Sequence, residues 1–254
     1  MNGTAGRAPD QQARPAAAYF AVGMTPRSSS RPAARVAALL SMLVACGTVS
    51  PQADPDAAAD APPPPPRELR FTGPGDATMQ YGTTGTPAFL DRCPEREALR
   101  GLTGSTATVG GGYVVVSQLA GQCGYAPIVD GDDGDLAVRA SDGTSLPLRG
   151  TRSEGAWGSR CPEDQFVVGF AGHAGVALDQ LAIRCAPLAI ARAGGGGWKV
   201  TTGPITQQDP AGAPGGAEFP VTDCPAGEVA VSVAGHADGE INAFGLVCVA
   251  PTPE

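Results

Sequence analysis

The sequence predicts an all-β fold of three internal repeats, preceded by a disordered tether. Three observations carry this. Residues 161–185, CPEDQFVVGFAGHAGVALDQLAIRC, return at 224–248 as CPAGEVAVSVAGHADGEINAFGLVC, an offset of 63 residues. Within each copy apolar residues recur with a period of two, the signature of a half-buried strand. The chain holds 36 glycines and 25 prolines against 5% aromatic residues, which suits short strands and many turns.

From the N-terminus, Arg27, Arg31 and Arg35 precede an apolar run at 36–44 that is too short to span a bilayer. The run ends in Leu43-Val44-Ala45-Cys46, which resembles the lipobox of bacterial lipoproteins. That resemblance implies a signal peptide over residues 1–45 and a diacylglycerol on Cys46. An ordinary signal peptide with an incidental cysteine is the alternative. Met24 would start a signal of normal length, so 1–23 need not be translated. Residues 46–66 read as a lipid-anchored linker: aspartates among alanines, then five prolines at 62–66, with nothing to bury. The expected location is the bacterial cell envelope. Gly47 after the cysteine favours the outer membrane where one exists, because an aspartate there signals retention at the inner one.

The full chain has 17 basic and 25 acidic residues. Without residues 1–45, 12 basic and 24 acidic residues remain, a net charge of about −12. Nucleic acid is disfavoured as a partner, and so are anionic headgroups; membrane contact is expected through the lipid anchor only. A neutral glycan is compatible with this charge.

Residues 67–254 divide into approximate repeats 67–124, 125–187 and 188–254. In repeat two, Phe166, Val168 and Phe170 lead into a turn at His173-Ala174-Gly175, and a second strand begins at Leu178. In repeat three, Val229, Val231 and Val233 lead into His236-Ala237-Asp238-Gly239, followed by a strand from Ile241. Each copy reads as strand, tight turn, strand, with a cysteine at each outer end. Repeat one is looser. It has no histidine, puts Arg100 where Val168 sits, and carries about six extra residues before Ser117. Phe89, Trp157 and Phe219 each precede the first cysteine of a copy and read as interior packing residues. Further strand candidates are 69–71, 79–81, 136–138, 146–148 and 198–200.

Cys46 aside, six cysteines allow 15 pairings. The repeat favours Cys93 with Cys123, Cys161 with Cys185, and Cys224 with Cys248, and an oxidising location permits them. Zinc is the rival reading, but no CxxC occurs. The acidic run at 130–135 departs from a calcium loop: Gly134 stands where an oxygen ligand belongs and Ser141 where the closing glutamate belongs. It reads as a solvated turn. The glycines at 194–197 read as a mobile loop without phosphate chemistry. No metal, cofactor or catalytic constellation stands out, and His173 and His236 sit at equivalent turns where they do not readily serve one centre.

Gly155-Ala156-Trp157-Gly158-Ser159-Arg160-Cys161-Pro162, Val168-Gly169-Phe170 and the run from Leu178 to Cys185 together resemble a repeat of vitelline membrane outer layer protein I. That family implies a β-prism, three antiparallel four-stranded sheets around a pseudo-threefold axis, a fold shared with jacalin-related lectins. Gly175-Val176-Ala177-Leu178-Asp179 also resembles the lectins' GxxxD sugar loop. The resemblance implies that Gly175 presents backbone amides and that Asp179 accepts from sugar hydroxyls. The alternative is that Gly175 makes the turn and Asp179 satisfies local amides. Repeat three has Asp238 and Asn242 at these positions, and repeat one has Ser117 for the aspartate. The expected function is a glycan-binding module on an envelope lipoprotein. The rivals are a structural or adhesion protein without a small-molecule site, and a carbohydrate-active enzyme.

Overall fold

A computed structural model describes residues 64–131 and 135–254. The signal peptide, Cys46 and most of the tether lie outside the described residues, as do Asp132, Asp133 and Gly134 of the acidic run.

Nine strands build the body, three per repeat. Repeat one uses β1 (Ala88–Arg92), β2 (Glu97–Val109) and β3 (Tyr113–Tyr125). Repeat two uses β4 (Gly155–Arg160), β5 (Gln165–Ala174) and β6 (Leu178–Arg192). Repeat three uses β7 (Ala217–Asp223), β8 (Val229–Ala237) and β9 (Ile241–Val249). The second and third strands of each repeat pair antiparallel as the expected hairpin. The leading strand crosses to a neighbour: β4 pairs with β2, β7 with β5, and β1 with β8. Short pieces fill a fourth position. Ser141–Ser145 lies beside β3, Thr206–Gln207 and Ala211–Gly212 beside β6, and Asp76–Ala77 and Tyr81–Gly82 beside β9. The result is a β-prism of three antiparallel sheets with pseudo-threefold internal symmetry, closed because the first leading strand joins the last repeat.

The aromatics have a definite partner in this exchange. Trp157 pairs across to Gly104, Phe219 to Gly172, and Phe89 to Gly235. A Cβ at those glycines would overlap the carbonyl oxygens of Gln118, Gln180 and Ala243 on the neighbouring strand. Glycine is therefore required for the close approach, and the rings of Phe219 and Phe89 cover the bare backbone of Gly172 and Gly235.

The half-buried period of two does not survive. Two β-bulges recur in every hairpin. The first falls at Arg100, Val168 and Val231, the second at Ser117, Asp179 and Asn242. The first bulge switches the inward face, so both faces of the strand are buried in turn. Val167 and Phe170 pack in the prism interior, whereas Phe166 and Val168 pack in a second cluster near the termini. The bulged carbonyls of Arg100, Val168 and Val231 accept from the amides of Cys161, Cys224 and Cys93 at 2.7–2.8 Å, and this bond hands the chain from one sheet to the next. Disulfides join Cys93 to Cys123, Cys161 to Cys185 and Cys224 to Cys248 at these crossings.

Smaller expectations fare unevenly. Segment 146–148 is not a strand; Arg149 alone bridges to Leu119 there, and its guanidinium is held by Asp91. The glycines at 194–197 form a closed turn between β6 and Trp198–Thr202, with Ala193 donating to Gly197 at 2.9 Å. His173 and His236 lie within β5 and β8 and not in the turns. Phe89 and Phe219 are buried and Trp157 packs against the core. The first and last described strands meet at the far end of the prism from the hairpin turns, where Leu69–Arg70 pairs with Thr252–Pro253. No helix among the described residues is long and apolar enough to cross a membrane.

Candidate functional site

The hairpin geometry brings the three β-turns to one end of the prism, around a cavity of about 500 Å³. That size suits a small ligand. Repeat two lines it with Gly175, Val176, Ala177 and Asp179. Repeat three supplies Glu240 and Asn242. Repeat one supplies a wall from Val109, Gly110, Tyr113 and Val115. Those wall residues belong to the six extra residues and their flanks, so the irregularity of repeat one is a hairpin lengthened beyond its two counterparts. Tyr113 and Val176 are exposed at the rim.

Ser117, Asp179 and Asn242 occupy the same bulge in the three repeats, and all three are buried. A bulge re-aims a side chain, and here it turns a polar group inward. Ser117 Oγ donates to the Ser105 carbonyl at 3.0 Å. Asn242 Oδ1 accepts from Thr86 Oγ1 at 3.0 Å. Asp179 differs: it is 8% exposed and its Oδ2 has no hydrogen-bond partner. Burial pushes its carboxyl above the usual carboxylate range, with the Gly175 amide and His173 pulling the other way.

A second glycine segment, Gly215-Gly216, lies against this carboxylate. Gly216 has φ +55°, and a Cβ there would come within 2.6 Å of Asp179 Oδ2 and 2.5 Å of the Ala174 carbonyl. A Cβ on Gly215 would stand 2.9 Å from Oδ1. Only bare backbone fits so close. The Pro214-Gly215-Gly216 run was a visible turn signal, but nothing in its spacing linked it to Asp179.

The structure brings Gly175 and Asp179 into one cavity. The Gly175 amide donates to the Ala177 carbonyl at 2.9 Å and closes the turn, so it is not presented to a ligand. The carboxylate of Asp179 is buried in the free protein; the Gly175 and Asp179 amides act on it electrostatically, but its Oδ2 makes no hydrogen bond. Asn242 lines the same cavity and is no independent second loop. Glu240 is paired with Arg152 at 3.1 Å. No lysine or arginine lines the cavity. What the arrangement can do chemically is accept hydrogen bonds at Asp179 and pack an apolar ligand face on Val109, Val115 and Tyr113. His173 and His236 stay outside it; His236 Nδ1 lies 2.6 Å from the Thr86 carbonyl. Among the described residues, no group of three or more His, Cys, Asp or Glu is placed to hold a metal.

No protein-family model matches the chain, and no curated protein matches it. Solved structures that align with the chain include several lectins. Calystegia sepium agglutinin aligns at TM-score 0.42 and 14% identity, over 72% of this chain and 99% of its own. Malaysian banana lectin aligns at 0.41 and 14%, over 71% and 99%. A mannose-specific jacalin-related lectin from Morus nigra, in complex with mannose, aligns at 0.41 and 14%, over 70% and 96%.

Proposed function

We propose that this chain is a lipid-anchored protein of the bacterial envelope whose β-prism presents one glycan-binding pocket. One observation carries the reading. Of three equivalent buried polar groups, two are satisfied within the protein, and the third, Asp179, lines a cavity and keeps one buried oxygen unsatisfied. Leaving a buried acceptor unpaired costs about 1–3 kcal/mol, more when it is charged. A group that breaks the local rule its two counterparts obey marks a functional position. A sugar fits the remaining demands, because it offers hydroxyl donors to Asp179 and C–H faces to the valines and Tyr113. The acidic chain and the lack of a basic lining residue argue against sialylated, sulfated or uronic ligands.

The reading is one of binding and not turnover. Glu240, the other carboxylate at the cavity, is paired with Arg152, which disfavours it as the proton donor of a glycosidic acid–base pair. A glycan array on residues 67–254, run with wild type and Asp179→Ala, tests it. Binding to defined glycans that Asp179→Ala weakens at least about tenfold is expected. Binding to none favours the structural or adhesion role, and cleavage of oligosaccharides favours an enzyme.

A further inference from the structure

We infer that the pocket selects a sugar bearing a free, charged amine over its N-acetyl or hydroxyl counterpart. The inference rests on the glycan reading above and specifies its ligand.

The charges at the cavity do not balance. Glu240 is neutralised by Arg152. Asn242 is neutral and satisfied by Thr86. Asp179 has no arginine or lysine partner among the ion pairs of the described residues, and no cationic side chain lines the cavity. Asp179 Oδ2 thus has no hydrogen-bond partner, and the positive charge that acts on the carboxylate is that of His173 when protonated. A hydroxyl supplies only a donor. An ammonium supplies a donor and a positive charge, and charge-assisted bonds are roughly twice as strong as neutral ones. The Gly215-Gly216 backbone crowds the carboxylate from one side, so the approach to it is narrow. An ammonium is the more compact group and keeps its charge, whereas an acetamide adds bulk and removes the charge. The apolar wall of Val109, Val115 and Tyr113 then receives the sugar ring. The other titratable neighbour, His173 on β5, contributes positive charge only when protonated and stays outside the cavity lining.

Calorimetric titration of residues 67–254 with β-1,4-linked trimers of glucosamine, N-acetylglucosamine and glucose tests this, at about pH 6, where the amine is charged. The glucosamine trimer should bind at least about tenfold more tightly than the other two. Asp179→Asn should abolish that preference, and it should fold, because asparagine is the natural residue at the same bulge in repeat three. Asp209→Asn removes the same unit of charge from an exposed site and should leave the preference intact. Three results overturn the inference in different ways. Equal or tighter Asp179-dependent binding of the neutral trimers refutes amine selection and keeps the glycan pocket. An amine preference that survives Asp179→Asn, or drops equally in Asp209→Asn, reduces it to general attraction by an acidic protein. Binding of no saccharide at all removes the glycan reading together with it.

Discussion

Asp179 and its two counterparts, Ser117 and Asn242, form an internal comparison. The same bulge buries a hydroxyl, an amide and a carboxylate, and the carboxylate alone lacks a partner for one oxygen. Folding stability should record that. Burial lifts the Asp179 carboxyl above its usual range, so the folded chain keeps this proton to higher pH than the unfolded chain does. Below about pH 4 both states hold the proton and the group is neutral to stability. As pH rises through the raised folded value, the unfolded state sheds its proton more readily, and the group becomes destabilising. Asp179→Asn removes this cost. Its melting temperature should exceed wild type at neutral pH, and the gain should shrink as pH falls towards 4. A variant that melts lower than wild type at neutral pH would mean that the carboxylate is satisfied in the folded state. The sequence displayed the aspartate through its GxxxD spacing. It hid the burial, because a bulge has no residue signature: Leu178-Asp179-Gln180 reads as plain alternation with Asp179 on the solvent face.

At the scale of the element, each hairpin sets a close-approach glycine opposite an aromatic from the next repeat, and at Gly172 and Gly235 the ring covers it. Gly172→Ala should therefore destabilise by about 1–3 kcal/mol or more, since a Cβ meets backbone that cannot move aside. Denaturant unfolding of the oxidised protein measures it. Each disulfide closes a loop of 24 to 30 residues, for which the chain-entropy model gives roughly 3–4 kcal/mol. The cysteine pairing was legible because the repeat aligned the cysteines two by two. The strand exchange was not, since a leading strand such as Gly155–Arg160 is marked only by its aromatic, and nothing local says which sheet receives it. Repeat one teaches the same lesson. Its extra residues read as decay of a terminal repeat, yet they place Val109, Tyr113 and Val115 over Asp179. Replacing residues 107–115 with the three-residue Asp-Gly-Glu turn of repeat three should keep the fold and the disulfides. Ligand affinity should fall by about 1–3 kcal/mol as the apolar wall is lost. Unchanged affinity would take the wall out of the site.

For the whole molecule, the prism has two unlike ends. The turns and the cavity lie at one. At the other, Leu69–Arg70 pairs with Thr252–Pro253 over a second apolar cluster that includes Phe71 and Val249. A nine-residue strand such as Val229–Ala237 separates the two levels, a span of roughly 26 Å at 3.3 Å per residue. The chain enters the prism at the closed end, where Pro66 is buried and Pro65 is still exposed. The cavity therefore lies at the end of the prism away from Pro66. The lipidation proposal at Cys46 has a functional consequence that can be separated from the fold. Cys46→Ala should leave the protein in the soluble fraction or as an unprocessed precursor, because stable attachment needs the acyl chains. Residues 67–254 alone should bind ligand as tightly as the full chain, because every cavity residue lies within them. Surface display of ligand binding on intact cells should vanish in Cys46→Ala and return when an unrelated lipoprotein signal is fused ahead of residue 47. A Cys46→Ala protein that matures and fractionates with membranes like wild type would refute the anchor while leaving the pocket untouched. Loss of binding in the isolated domain would refute the pocket while leaving the anchor untouched.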